Sequence, residues 1–147
     1  MIIDLKKIKR SGKDSSSFFF EYEPENQLIE IPNVKFGKKI EVVGDVILTG
    51  EHSAIIEGEV NFTIKGDCTR CLKETEKEYS VELRETADAD NPEVYPVKND
   101  TIDLSKMVDD TLLMNLPLSF LCDEDCKGIC LGCGVNLNDG ECKCKNE

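Results

Sequence analysis

The chain has 147 residues and carries 18 Lys and Arg against 30 Asp and Glu, a formal net charge of −12 at pH 7. That length gives one domain with one modest core and excludes two large ones, while 39% hydrophobic residues exclude compositional disorder. An acidic balance also disfavours broad nucleic-acid binding, which starts with cationic side chains displacing counterions from phosphates.

The start, MIIDLKKIKR, places apolar residues ahead of charges and no long apolar stretch behind them, the reverse of a secretory signal. No apolar run approaches the roughly 20 residues that span a bilayer. The expected compartment is the cytoplasm, with no membrane partner. Lys6, Lys7, Lys9, Arg10 and Lys13 face only Asp4 within residues 1–13, so this stretch is net +4 on a body of −16. Residues 1–16 are therefore expected to form a solvated basic arm, and those five cations are the candidate RNA contacts.

Phe18 to Tyr22 and Gln27 to Ile31 read as short strands bounded by Pro24 and Pro32. Longer strands follow over Lys39 to Gly50 and Ala54 to Cys68, where Val60, Phe62 and Ile64 alternate with Asn61, Thr63 and Lys65. The polar stretch from Gly50 to Ser53 joins them as a hairpin loop of about four residues. A third strand is expected around Tyr79, Val81 and Leu83, and residues 87–100 read as a surface loop with two prolines. The period then changes. Leu104, Met107, Val108, Leu112 and Leu116 form a helical stripe, with Asp103 as N-cap and Pro117 as stop.

The expected fold is α+β: an antiparallel β-sheet or partial barrel packed by one main amphipathic helix, with a C-terminal cysteine-rich zinc-knuckle segment. In domain terms this is a basic arm over 1–16, an α+β core over 17–121, and a zinc-binding tail over 122–147.

Eight cysteines are the outstanding number in a chain expected to stay in a reducing compartment, where clustered thiols serve metal binding or redox chemistry. They are Cys68, Cys71, Cys122, Cys126, Cys130, Cys133, Cys142 and Cys144. Each CxxC turn points two sulfurs at one centre, and a tetrahedral Zn²⁺ takes two such pairs. One grouping sets Cys130, Cys133, Cys142 and Cys144 on one ion and Cys68, Cys71, Cys122 and Cys126 on another. A second grouping places Cys122, Cys126, Cys130 and Cys133 together, and spacing does not choose between them.

Catalytic zinc needs an open position and usually a His-rich shell, whereas this chain has one histidine, His52, in the expected hairpin loop. A dithiol oxidoreductase is disfavoured because Cys68-Thr69-Arg70-Cys71 follows an alternating strand, not a βαβ unit. No glycine-rich phosphate loop, GxSxG turn or HExxH helix is present. These absences point away from an enzyme and from a small-molecule substrate.

The order of features resembles the bacterial YceD family, the large ribosomal RNA subunit accumulation proteins. It is carried by Cys68-Thr69-Arg70-Cys71-Leu72, by Ile102-Asp103-Leu104 opening a helix that ends at Leu116-Pro117-Leu118, and by the CKGxCxxCGxNLN pattern from Cys126 to Asn138. It spans roughly residues 35 to 144. The resemblance implies a noncatalytic role in 23S ribosomal RNA processing or accumulation, and it favours a structural role for the zinc, one or two ions, that the cysteine spacing gives as cofactor. Combined with the acidic body, it implies a small basic protein of the large ribosomal subunit as partner, with precursor 23S ribosomal RNA as a second one. A different class of function, a zinc-dependent redox-switched holdase, is suggested by the CxxC and CxC pairs.

Overall fold

A computed structural model of the chain describes residues 1–24 and 26–144. Seven strands and two helices follow in the order β1 (Ile2–Asp4), α1 (Leu5–Arg10), β2 (Ser15–Tyr22), β3 (Val34–Phe36), β4 (Ile40–Gly50), β5 (Ser53–Asp67), β6 (Glu74–Asp88), β7 (Thr101–Asp103) and α2 (Leu104–Asn115). The class is α+β, as the periodicities imply.

β5 is the axis of a five-stranded antiparallel sheet. β6 pairs with it from Ser53↔Asp88 to Asp67↔Glu74. Its other edge is shared end to end by β4, from Gly50↔Ser53 to Glu41↔Asn61, and by β3, with Val34↔Gly66 and Phe36↔Ile64. β2 lies outside β4, and β1 and β7 form a separate two-stranded ribbon. Gly44 faces Gly58 across β4 and β5, and a Cβ on Gly44 would stand 2.7 Å from the Gly58 Cα. Only a pair without side chains permits that approach.

Period two sorts the sheet into two faces. Val42, Val46, Ile56, Val60, Leu83 and Ala87 turn inward and share one core with Leu104, Met107, Val108 and Leu112 of α2 and with Phe120. α2 starts where expected, with the Asp103 carboxylate accepting the Ser105 N–H at 2.9 Å, and it stops at Leu116 ahead of Pro117.

Four expectations are corrected. The basic N-terminus is no solvated arm: β1 pairs with β7, and α1 buries Leu5 and Ile8 in the core, so a second helix joins α2. A hexamer with only two apolar positions shows too little period to announce itself, and its partner strand lies about a hundred residues away. Gln27 to Ile31 is not a strand, since one turn of 3-10 helix, Asn26–Leu28, stands there, and the short strand falls instead at β3. The β4–β5 loop is shorter than expected, because Gly50 already pairs with Ser53 and leaves Glu51 and His52 to turn the chain. Residues 87–100 are not simply surface loop. Ala87 and Asp88 belong to β6, Val97 is buried, and the Tyr95 backbone bonds to Thr86 and Asp88.

Candidate metal centres

The β5–β6 hairpin closes through the first CxxC. Cys68 N–H donates to the Lys73 carbonyl at 2.9 Å and Leu72 N–H to the Cys68 carbonyl at 2.9 Å, with Leu72 in the left-handed region at φ 63°. Past α2, Thr69 N–H donates to the Phe120 carbonyl at 2.7 Å, which sets the 121–126 segment beside this turn. Arg70 Nη1 adds a bond to the Cys126 carbonyl at 3.1 Å. Four sulfurs meet there: Cys68, Cys71, Cys122 and Cys126 all lie within 4.8 Å of one another. Cys68 and Cys126 stand 3.7 Å apart and Cys71 and Cys122 3.5 Å apart.

The second cluster is local. Cys130 N–H bonds the Val135 carbonyl at 2.9 Å and Gly134 N–H the Cys130 carbonyl at 2.8 Å, with Gly134 at φ 74°. This tight knuckle receives the returning pair, so Cys130, Cys133, Cys142 and Cys144 also lie within 4.8 Å of one another. Cys130 is 3.2 Å from Cys142 and 3.7 Å from Cys144, and Cys133 is 4.0 Å from Cys142. Of the two groupings left open by spacing, the fold forms this one. Cys122 and Cys126 do not share a centre with Cys130 and Cys133.

Both clusters fit a tetrahedral ion, because bonds of about 2.3 Å to sulfur set the ligands about 3.8 Å apart, close to the separations found. Gly132 supports this at the second cluster. A Cβ there would stand 2.7 Å from Cys144 Sγ, so the sulfur occupies the space a side chain would take.

The electrostatics split each quartet. Burial opposes ionisation of Cys68, but the backbone amides of Cys71, Cys122 and Arg70 outweigh it and bring its pKa down to about 6. The Cys133 amide, the Cys142 thiol and the Gly132 amide bring Cys130 down to about 6 as well. The Asn138 side chain lowers Cys126, and the amides of Val135 and Lys143 lower Cys133. Cys122 and Cys144 are pushed up to about 12, first by thiol hydrogen bonds with Cys71 and Cys142 respectively. Each cluster thus holds thiolates stabilised by amide donors beside thiols that give up protons when a cation arrives.

Burial separates the two. Cys68, Cys71 and Cys126 are buried, whereas Cys133 and Cys142 are exposed. Asn138 links them, a role the sequence reading did not assign: it lies between Cys133 and Cys142, yet its Nδ2 donates to Cys126 Sγ at 3.3 Å and to Asn136 Oδ1 at 2.9 Å. The Asn-x-Asn spacing was the available signal.

The five N-terminal cations lie on and just beyond α1. Lys6 and Lys9 approach Asp100 at 3.7 and 3.5 Å, while Lys7, Arg10 and Lys13 are exposed. His52 is exposed on the hairpin tip, and its Nδ1 lies 2.9 Å from Asp100 Oδ1. Among the described residues, no helix is long and apolar enough to cross a membrane.

Large ribosomal RNA subunit accumulation protein YCED homolog 1, chloroplastic, of Arabidopsis thaliana is 40% identical over 53 residues, covering 36% of this chain and 16% of that protein. The Zea mays protein of the same name is 40% identical over 52 residues, 35% of this chain and 18% of its own length. An uncharacterized protein of Mycobacterium tuberculosis is 33% identical over 92 residues, 56% of this chain and 44% of its own. The chain therefore spans less than half the length of these relatives, and the two plant proteins are named as accumulation proteins, not as enzymes. No solved structure matches the chain. Residues 56–147, which hold β6, α2 and all eight cysteines, match the family described as Large ribosomal RNA subunit accumulation protein YceD, and the chain belongs to that family.

Proposed function

We propose that this chain is a noncatalytic ribosome-biogenesis factor that supports accumulation of 23S ribosomal RNA during large-subunit assembly, and that it acts by binding a small basic ribosomal protein. The observation that carries this reading is the family match over residues 56–147. Charge then sets the direction of the mechanism. A net −12 repels RNA phosphates and attracts basic proteins, so contact with precursor RNA is confined to the cations of the N-terminal helix and the turn after it, Lys7, Arg10 and Lys13 above all. Its compartment in this reading is the cytoplasm, where thiols stay reduced.

Two structural Zn²⁺ ions complete the reading. Cys68, Cys71, Cys122 and Cys126 would hold one and Cys130, Cys133, Cys142 and Cys144 the other, and four thiolates leave no position open for a reacting water. The metal supplies cross-linking. The first site ties the tip of the β5–β6 hairpin to the segment after α2, and the second gives the C-terminal segment a shape of its own.

Native mass spectrometry of the reduced protein, alone and with large-subunit components, tests both parts. Expected are two zinc ions per chain and a complex with one small basic protein. Equal recovery of ribosomal RNA after all ribosomal protein has been stripped away would refute the partner assignment.

A further inference from the structure

We propose that the outer face of the five-stranded sheet docks an extended Lys/Arg-rich segment of a basic protein, with cations and aliphatic side chains alternating along the side that meets the sheet. The proposal deepens the partner reading above and rests on it. The face lies opposite the core. Glu41, Val43 and Asp45 are exposed on β4 while Val42 and Val46 beside them are buried, and no element among the described residues packs on the central part of this side.

Strand register turns the face into rows. Glu21, Glu41, Asn61 and Ser80 stand in line across β2, β4, β5 and β6. The next row is Phe19, Val43, Glu59 and Glu82, followed by Ser17, Asp45, Glu57 and Arg84. Ile47 and Ile55 pair in the row after that. Along β4, the strand in the middle of these rows, Glu41, Val43, Asp45 and Ile47 therefore alternate acidic and apolar, with further acids beside them on β5 and β6, and successive rows lie about 6.8 Å apart, the spacing of every second side chain in an extended chain.

The acids are incompletely matched. Glu21 has Lys39 at 3.6 Å and Glu57 has Arg84 at 3.5 Å, but Glu41, Glu59 and Glu82 have no cation within 4.0 Å among the described residues. Glu59 stands directly across from Glu82, and Glu21 across from Glu41, pairings that destabilise a sheet. In the middle, Phe19 is 59% and Val43 39% exposed, side by side in register. A lysine or arginine lays its methylene stem over such a pair while its charge reaches the flanking carboxylates, and Phe19 offers a ring face to the cation. The apolar pair gives the footprint a centre and the acids give it a sign, so the occupant that fits both is cationic and extended. A nucleic acid meets the same charge as repulsion.

The test uses the full, zinc-loaded chain and a fluorescent nonapeptide, KSVSRSVSK, followed by anisotropy. Glu59→Gln with Glu82→Gln is expected to weaken binding about tenfold while the thermal midpoint stays level or rises, because a like-charge pair is removed. Phe19→Ser weakens it as well. Asp90→Asn with Glu93→Gln makes the same change in net charge on the loop after β6 and is expected to leave affinity within twofold. Equal losses from the two double variants, or a nine-nucleotide RNA binding as well as the peptide, would overturn the proposal. Capture of large-subunit proteins separates the two levels of inference. If the wild type and Glu59→Gln/Glu82→Gln capture equally, the face is wrong and the partner reading stands. If the wild type captures none while peptide binding depends on the face, the docking chemistry stands and the ribosomal partner falls.

Discussion

Asn138 belongs by chain position to the second cysteine cluster and by hydrogen bonding to the first. Its amide donates to Cys126 Sγ at 3.3 Å, and its Oδ1 accepts the Lys127 N–H at 2.9 Å. A donor to a metal-binding sulfur orients the thiolate and spreads its charge, and loss of such a partner typically costs about 10-fold to 100-fold in metal affinity. Asn138→Ala is therefore expected to weaken zinc at the buried cluster by that factor. The measurement is competition with a chromophoric chelator in a Cys142→Ser/Cys144→Ser background, which leaves one four-thiol site to read. Unchanged affinity would mean that the amide serves only the local turn it makes with Asn136. The eight candidate ligand positions were legible as close pairs, Cys68/Cys71 and Cys130/Cys133 as CxxC turns whose two sulfurs share one centre, Cys122/Cys126 as CxxxC and Cys142/Cys144 as CxC. Their partition into two sets was not, since it depends on Thr69 meeting the Phe120 carbonyl, a contact between segments 51 residues apart.

Three elements meet at Asp100. Its carboxylate takes His52 Nδ1 from the β4–β5 tip at 2.9 Å and faces Lys9 and Lys6 of α1, while its carbonyl accepts the Leu5 N–H at 2.8 Å. Asn99 and Asp100 are both left-handed, with φ of 53° and 58°, a conformation short polar side chains tolerate best. The His52 hydrogen bond, helped by Lys9, holds the Asp100 carboxyl below its ordinary pKa. A carboxyl lowered on folding stabilises the fold above its unfolded pKa, and that contribution disappears as pH falls through the folded one. Asp100→Asn is accordingly expected to lower the thermal midpoint at neutral pH, with the gap to wild type closing below the ordinary carboxylate range. Parallel melting curves across acidic pH check it, and a gap that stays constant would show that charge is not what ties these elements. The tie also explains why the sequence of the N-terminus suggests a free arm where the structure has a docked helix. Five cations against one acid look like a solvated tail, and nothing in residues 1–13 reveals that Asp100 waits for two of them. α2 and the β4–β5–β6 meander were legible because their stripes are long enough to fix a period and because Asp103 and Pro117 mark the helix ends.

At the scale of the molecule, the two clusters do unequal work. The first joins Cys68 and Cys71, at the turn between the two longest strands, to Cys122 and Cys126 beyond α2, and three of its four sulfurs are buried. The second spans only Cys130 to Cys144, joins no strand or helix to another, and none of its four sulfurs is buried. Metal bound to a site absent from the unfolded chain adds its binding free energy to the stability of whatever the site holds together. Loss of metal from the first cluster should therefore reach the sheet and α2, whereas loss from the second should stay local. Access runs the other way, because a chelator meets Cys133 and Cys142 at the surface and must wait for local opening to reach Cys68. Chelation of the zinc-loaded protein is thus expected in two steps. The first zinc leaves quickly with little change in the thermal midpoint. The second leaves slowly, and the midpoint falls with it. Cys142→Ser should remove the fast step and keep the stable core, while Cys71→Ser should remove the slow step and lower the midpoint at once. Both zincs leaving in one phase with a shared loss of stability would show that the Asn138 bridge couples the clusters into a single unit, and the division of labour drawn from burial would then fail.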